Sequence, residues 1–262
     1  MIKKTNYFNL TLQMALTEFK LKYAGSVLGY VWSLVKPLLL FGVLYVVFSV
    51  FFRFGKGVPN YPVYLLLGIV MWSFFFEATM NGMRSIVQRG DLIRKVNFPK
   101  IIIVIAAILT ASLSFLLNLI VVFVFLAFSK IDLTASALVF VPLVVELVIF
   151  ALGVSLILAT LFAKFKDFIH IWEVGLQVIF YATPIIYPIS MVPAKFIKFM
   201  MVNPVAQIFQ DARWALISHD TATTWSTISY PKSLVTLAIV LITVLVGFII
   251  FLKSAKDFAE EI

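Results

Sequence analysis

VIFYATPIIYPISMVPAKFIKFMMVNPVAQIFQDARW, residues Val178–Trp214, is the stretch around which the rest of the chain is organised. It opens as a membrane span and is then interrupted by Pro184, Pro188 and Pro193, with Asn203 and Pro204 following. Each proline lacks an amide donor and collides with the preceding turn, so one straight helix cannot run through it. Beyond the breaks the chain stays apolar, through Phe196, Ile197, Phe199, Met200, Met201 and Val202. In a bilayer, broken backbone persists only where protein or a wet cavity satisfies it. The expectation is a span that stops short, then one or two short helices folded back at the outer face. Asn203 predicts an N-cap, with Pro204 at the first helical position. Val205, Ile208, Phe209, Ala212 and Leu216 then recur at the helix period. Such a hairpin either caps a helix bundle or gates a path through it. The gate residues would be Pro184, Pro188, Asn203, Pro204 and Arg213.

The composition is that of a polytopic membrane protein. Of the 262 residues 63% are hydrophobic and 13% charged, and mean hydropathy is +1.08; soluble domains carry roughly 25% charged residues. A net charge of +9 reflects cytoplasmic anchoring rather than nucleic-acid binding. The absence of Cys excludes disulfides and thiol catalysis. Met1–Lys22 has no apolar core of signal-peptide type.

The whole chain, 1–262, reads as one all-α unit: an interfacial segment over 1–28, six transmembrane helices over 29–252 and a cytoplasmic tail over 253–262. In the first segment Phe8, Leu12, Ala15, Leu16, Phe19 and Tyr23 form one stripe, and Leu10, Met14 and Leu21 a second apolar row. Glu18 and Lys22 stand four apart, suited to an ion pair. The spans are expected at about Gly29–Phe52, Tyr61–Met80, Ile101–Ser129, Thr134–Ala163, from Ile169 into the broken stretch, and Ser233–Leu252. Lys and Arg number 14 on one side of this topology and 7 on the other. The richer side is the cytoplasmic one, so both termini lie inside and the proline-rich hairpin outside.

The chemistry that is missing narrows the function. No phosphate-cradling glycine loop of the G-x-x-x-x-G-K-[ST] kind occurs. His170 and His219 fall on opposite sides of the membrane, and no acidic pair has the spacing of a two-carboxylate or metal site. Neither a metal nor a cofactor is expected in this chain. Glu77 reads as an interface residue near the inner end of its span. Glu146 lies near mid-span, where an ionisable group is costly and calls for a partner.

Phe41, Tyr45, Phe48 and Phe52 recur at intervals of four, three and four along the first span. Packing accounts for such a row, and so does a sliding surface for the apolar faces of sugar rings; Tyr181 and Tyr187 are candidates for the same path. The connector Arg84–Lys100 mixes charge with Ile86, Val87, Leu92 and Ile93. Positive-inside anchoring explains its charges, whereas its apolar residues suit docking to a soluble partner. The coupling candidates are Arg84, Arg89, Asp91, Arg94 and Lys95, with Lys164 and Asp167 from the second inner turn.

Three segments carry a resemblance. FKLKYAGSVLGYVWSLVKPL, Phe19–Leu38, resembles the entry motif of ABC type-2 permeases that export lipid-linked polysaccharides. Asn97-Phe98-Pro99-Lys100 is similar to that family's stretch before the third span. Thr183-Pro184-Ile185-Ile186-Tyr187-Pro188, then Asn203-Pro204 and Arg213, resemble its outer hairpin. The resemblance implies a homodimer, two copies of a separate ATPase that holds ATP and Mg, surrounding lipids, and a polyprenyl-diphosphate-linked glycan such as O-antigen or a teichoic acid. One departure is Lys36 before Pro37, where the family pattern has an uncharged polar residue. A drug or small-lipid exporter of the same architecture and, from another class, a membrane-embedded glycan-modifying enzyme are the alternatives.

Overall fold

The computed structural model describes residues 7–22, 24–26, 29–228 and 234–261, and every regular element among them is helical. The elements are α1 (Tyr7–Lys22), α2 (Val31–Leu44, continued as π-helix over Tyr45–Phe51), α3 (Tyr61–Gln88), α4 (Gly90–Lys95), α5 (Ile101–Phe128) and α6 (Phe140–Lys164, entered through a 3-10 turn at Ala135–Val139). Then come α7 (Phe168–Ala182), α8 (Ala194–Met200), α9 (Pro204–Leu216), α10 (Thr224–Thr227), α11 (Val235–Ser254) and α12 (Phe258–Glu261). Tyr23 of the N-terminal stripe and Ser233 at the expected start of the last span lie outside the described residues.

Among the described residues five helices are long and apolar enough to cross a bilayer: Val31–Phe51, Tyr61–Gln88, Ile101–Phe128, Ala135–Lys164 and Val235–Ser254. The expected fifth crossing, α7, has 15 residues. At 1.5 Å per residue it reaches about 22 Å, short of a hydrocarbon core of about 30 Å. Helix α3 is the axis of the bundle, buried along most of its length and packed on α5 and α6. It outlasts the expected end at Met80 by two turns, running through Gly82 because Met83 and Ile86 are fully buried. Arg84 is therefore a helix residue, not a connector residue.

Small residues set the helix spacing. A Cβ on Gly247 of α11 would stand 2.5 Å from the Gly153 carbonyl oxygen of α6, and one on Gly153 would stand 2.8 Å from the Val244 amide nitrogen. The two backbones touch there, as small residues allow when no hydrophobic force drives apolar helices together in lipid.

Helix α1 packs on α5 through only part of the apolar stripe, Ala15 together with Thr11. Thr11 and Ala15 are buried, whereas Phe8 is 74% exposed and Leu12 points outward too. The Glu18–Lys22 pair does not form as the main contact of either residue. Lys22 Nζ lies 2.6 Å from Glu77, and Glu18 pairs with Arg89 and accepts from Thr110 at 3.0 Å. Packing α1 against the bundle brings these better-buried partners within reach, and an exposed i,i+4 pair is worth only about 0.3–0.5 kcal/mol.

The apolar interior has two parts. The larger surrounds α3, and a smaller one closes the connector end of the bundle, built from Ile86, Ile93, Ile103, Val104, Leu156, Ala159, Ala163, Phe251 and Phe258.

Candidate functional site

At the end of the bundle opposite the connectors, α9 is inserted between α3, α6 and α11. Asn203 caps it by accepting the Val205 amide at 3.1 Å, and Pro204 opens the first turn. The predicted stripe Val205, Ile208, Phe209, Ala212 and Leu216 is buried, but so are Gln207, Gln210, Asp211 and Arg213. A helix buried all round must find partners for its polar face inside the protein.

Arg213 is the hub of those partners. Its side chain is 0% exposed. Nη1 donates to the Pro184 carbonyl at 2.5 Å and to Gln210 Oε1 at 3.1 Å; Nη2 donates to the Ile185 carbonyl at 2.8 Å; Nε donates to the Tyr64 carbonyl at 3.3 Å. The guanidinium carbon stands 3.5 Å from the centroid of the Tyr64 ring, a cation over an aromatic face. Tyr61 completes the set by donating to the Ile186 carbonyl at 2.6 Å. Three successive carbonyls of the proline-broken backbone are thus satisfied by α3 and α9. Gly68 makes this possible: a Cβ there would stand 2.5 Å from Arg213 Nη2.

Around the hub, Gln207 donates to Asp211 at 2.8 Å, and the Thr224 amide donates to the other oxygen of the same carboxylate at 3.0 Å. Burial pushes the Asp211 carboxyl up, and these donors hold it back. Glu146 of α6 faces the neutral Gln207 side chain, with the like-charged Asp211 nearby. Pro184 and Pro188 are buried, while Tyr181 is 69% exposed and receives the Tyr187 hydroxyl on its carbonyl at 2.9 Å.

The second site is a groove of ≈ 600 Å³ in the connector half, between α2, α3, α5 and α7. Trp32, Trp72, Phe74 and Phe76 line it together with Lys36, Asn81 and Asn118. Two ion pairs cross it: Lys22–Glu77, with Ser114 3.0 Å from the ammonium, and Arg84–Glu173 at 3.4 Å. Glu77 therefore belongs to the wall of a groove rather than to the inner end of its helix. Lys36 is exposed and borders this groove and a smaller one beside it. Sequence reading missed the groove because its members come from five separate segments; an acidic and a basic residue within apolar helices were the only trace.

The aromatic row of α2 divides. Phe41 is buried against Phe125 and stacks with Tyr45 at 5.7 Å, and Phe48 stacks with Phe52 at 5.7 Å. Phe41, Tyr45 and Phe48 pack on the α3 core, and only Phe52, 62% exposed, stands clear of it. The coupling candidates divide as well. Arg84 lines the groove, and Arg89 is turned onto Glu18, where burial lowers its pKa. Asp91, Arg94, Lys95, Lys164 and Asp167 are exposed at the connector end.

Residues 9–217 match the family described as ABC-2 type transporter. The chain is 31% identical over 254 residues, 97% of its length and 95% of the relative's, to the O-antigen export system permease protein RfbA of Klebsiella pneumoniae. It is 28% identical over 216 residues, 81% of its length and 82% of the relative's, to the protein of the same name from Myxococcus xanthus. It is 22% identical over 207 residues, 77% and 79% of the two lengths, to the polysialic acid transport protein KpsM of Escherichia coli.

Proposed function

The chain belongs to the ABC-2 type transporter family, and from that premise we propose that it is the permease subunit of an ATP-driven exporter of lipid-linked polysaccharide, an O-antigen or similar glycan, across the cytoplasmic membrane. The groove is the observation that supports the reading beyond the family match. Its indole and phenyl surfaces suit an isoprenoid tail and the apolar faces of sugars, and Lys36 with Lys22 and Arg84 suits the diphosphate that joins them. A groove lined only by aliphatic side chains would hold a lipid without selecting that linkage.

The groove is bordered by α2 and α7, both thinly covered by the rest of the chain: α2 buries Ser33, Pro37 and Phe41, and α7 buries Leu176 alone. A second copy of the permease closes it, with the path for the glycan between the two. The single membrane domain spans the chain, and α7 makes the fifth of six crossings together with the broken stretch that follows. Helices α8 and α9 form a re-entrant outer gate that includes Pro184, Pro188, Asn203, Pro204 and Arg213. Phe52, Tyr181 and Tyr187 border the path, with Phe41, Tyr45 and Phe48 behind them as packing. Helix α1 lies at the inner interface, with Phe8 and Leu12 toward lipid. The exposed connector residues Asp91, Arg94, Lys95, Lys164 and Asp167 meet a separate ATPase present in two copies, which binds Mg-ATP.

Reconstitution with the cognate ATPase tests the reading. The complex should move a polyprenyl-diphosphate-linked glycan in an ATP-dependent way, and the permease alone should hydrolyse no ATP. Lys36→Glu should raise the substrate concentration needed for half-maximal export by roughly tenfold, the size of one lost charge-assisted contact of about 1.4 kcal/mol. Export of a free glycan as fast as the lipid-linked form would sink the diphosphate assignment.

Topology has its own check, made simple by the absence of native Cys. Lys195→Cys and Lys198→Cys, both exposed, should react with an impermeant thiol reagent from outside, and Lys95→Cys should not. Labelling of Lys95→Cys from outside in intact cells would reverse the orientation.

A further inference from the structure

We infer that α12, anchored by Phe258, is a positioning element that clamps the two connectors of the permease together so that they respond to the ATPase as one body; the inference rests on the exporter reading above. Helix α4, six residues long, buries only Ile93. A helix this short is not stable alone, so its place is set by what Ile93 packs on. That surface is the small apolar core of the connector end, where Phe258 is 0% exposed beside Ile93 and Ala163. Phe258 meets Phe251 edge-on at 5.2 Å between centroids. Helix α12 touches α4 on one side and the end of α6 on the other.

Polar tethers reinforce the clamp at both connectors. Lys100, which follows the first connector, donates to the Ala255 carbonyl and lies over the Phe258 ring at 5.9 Å. Lys164, which opens the second connector, pairs with Glu261 at 3.5 Å. The segment Ala255–Glu261 is therefore in contact with the flanks of both loops that were assigned to the ATPase. Were the segment merely solvated, Phe258 would not be fully buried. The ion pair is partly exposed and guides the contact, whereas the ring supplies the anchor.

Hydrogen exchange and coupling, both measured on the complete transporter, separate this from plain structural packing. Phe258→Ala should raise amide exchange about tenfold in 90–97 and in 164–167 together, with the hairpin around Arg213 unchanged. The ratio of glycan exported to ATP hydrolysed should fall roughly two- to thirtyfold, the range that coupling substitutions cover. Phe258→Leu should restore most of both. Should Phe258→Ala not assemble, Glu261→Lys places like charges at Lys164 without touching the core. It should speed exchange at 164–167 by about threefold and lower the ratio in proportion. Exchange that rises at neither connector overturns the clamp, and so does a coupling ratio that holds while both connectors loosen. Failure of the exporter reading is visible separately, as no glycan export by the unaltered complex, since the exchange pattern does not depend on substrate.

Discussion

Arg213→Lys should destabilise the folded protein nearly as much as Arg213→Ala, by roughly 3–5 kcal/mol, the cost of stripping one partner from a buried charged network. The reason is geometric. The guanidinium serves the Pro184, Ile185 and Tyr64 carbonyls and Gln210 at once, and lies flat on the Tyr64 ring. An ammonium is a point charge with three donors and no planar fork, so it leaves carbonyls unmade at about 1–3 kcal/mol each. The thermal midpoint of the detergent-solubilised protein should fall by on the order of 10 °C in both variants. Gly68→Ala should reproduce part of this loss, because its methyl group takes the place of Nη2. Combined with Arg213→Ala it should add little, since the group it collides with is gone. A Lys variant that keeps the parental midpoint within a few degrees would show that charge alone holds the hairpin.

The seam between α6 and α11 should be the other most sensitive place. Gly247→Leu forces a side chain into the Gly153 carbonyl and the Leu156 side chain, 2.5 Å and 3.3 Å from the new Cβ. Backbone cannot yield as a side chain does, so the cost should be about 3 kcal/mol or more, the upper end for overpacking. Gly247→Ala should already be measurable, because 2.5 Å is inside contact distance for its one methyl group. Gly42→Ala in α2 is the control: nothing lies within 4 Å of a Cβ there. The readout is the fraction of monodisperse protein after extraction and its midpoint on heating. If Gly247→Leu matches Gly42→Ala in both, the helices separate more easily than their contact implies.

These two sites mark the boundary between what was legible and what was not. Length and apolar composition identify the five long helices directly, because each must satisfy its own backbone within lipid. The prolines of 184–193 and the Asn203–Pro204 cap are equally local, since a missing amide and a capping side chain act within one turn. For the same reason the ends of α5, α6 and α11 fall within two residues of expectation. The end of α3 does not, because Met83 and Ile86 extend it by packing on neighbours distant in sequence.

Which partner each charged residue finds was decided only by the tertiary structure. Arg213 reads as a gate residue at the end of the broken stretch, and it is enclosed by that stretch and by α3, partners 28 and 149 residues away in the chain. Lys22 reads as the partner of Glu18 and meets Glu77, 55 residues on. Helical periodicity tells which residues share a face and stops there. The choice among faces depends on burial: in a low-dielectric interior an unsatisfied charge costs far more than a surface pair returns, so Arg213 and Asp211 are buried where carbonyls and amides meet them. The groove, the hub at Arg213 and the clamp at Phe258 each join segments from several helices. The amino-acid sequence by itself determined the helices, their order and the place where one of them breaks. Long-range packing alone decided which polar groups meet, because that is settled by contacts no local pattern encodes.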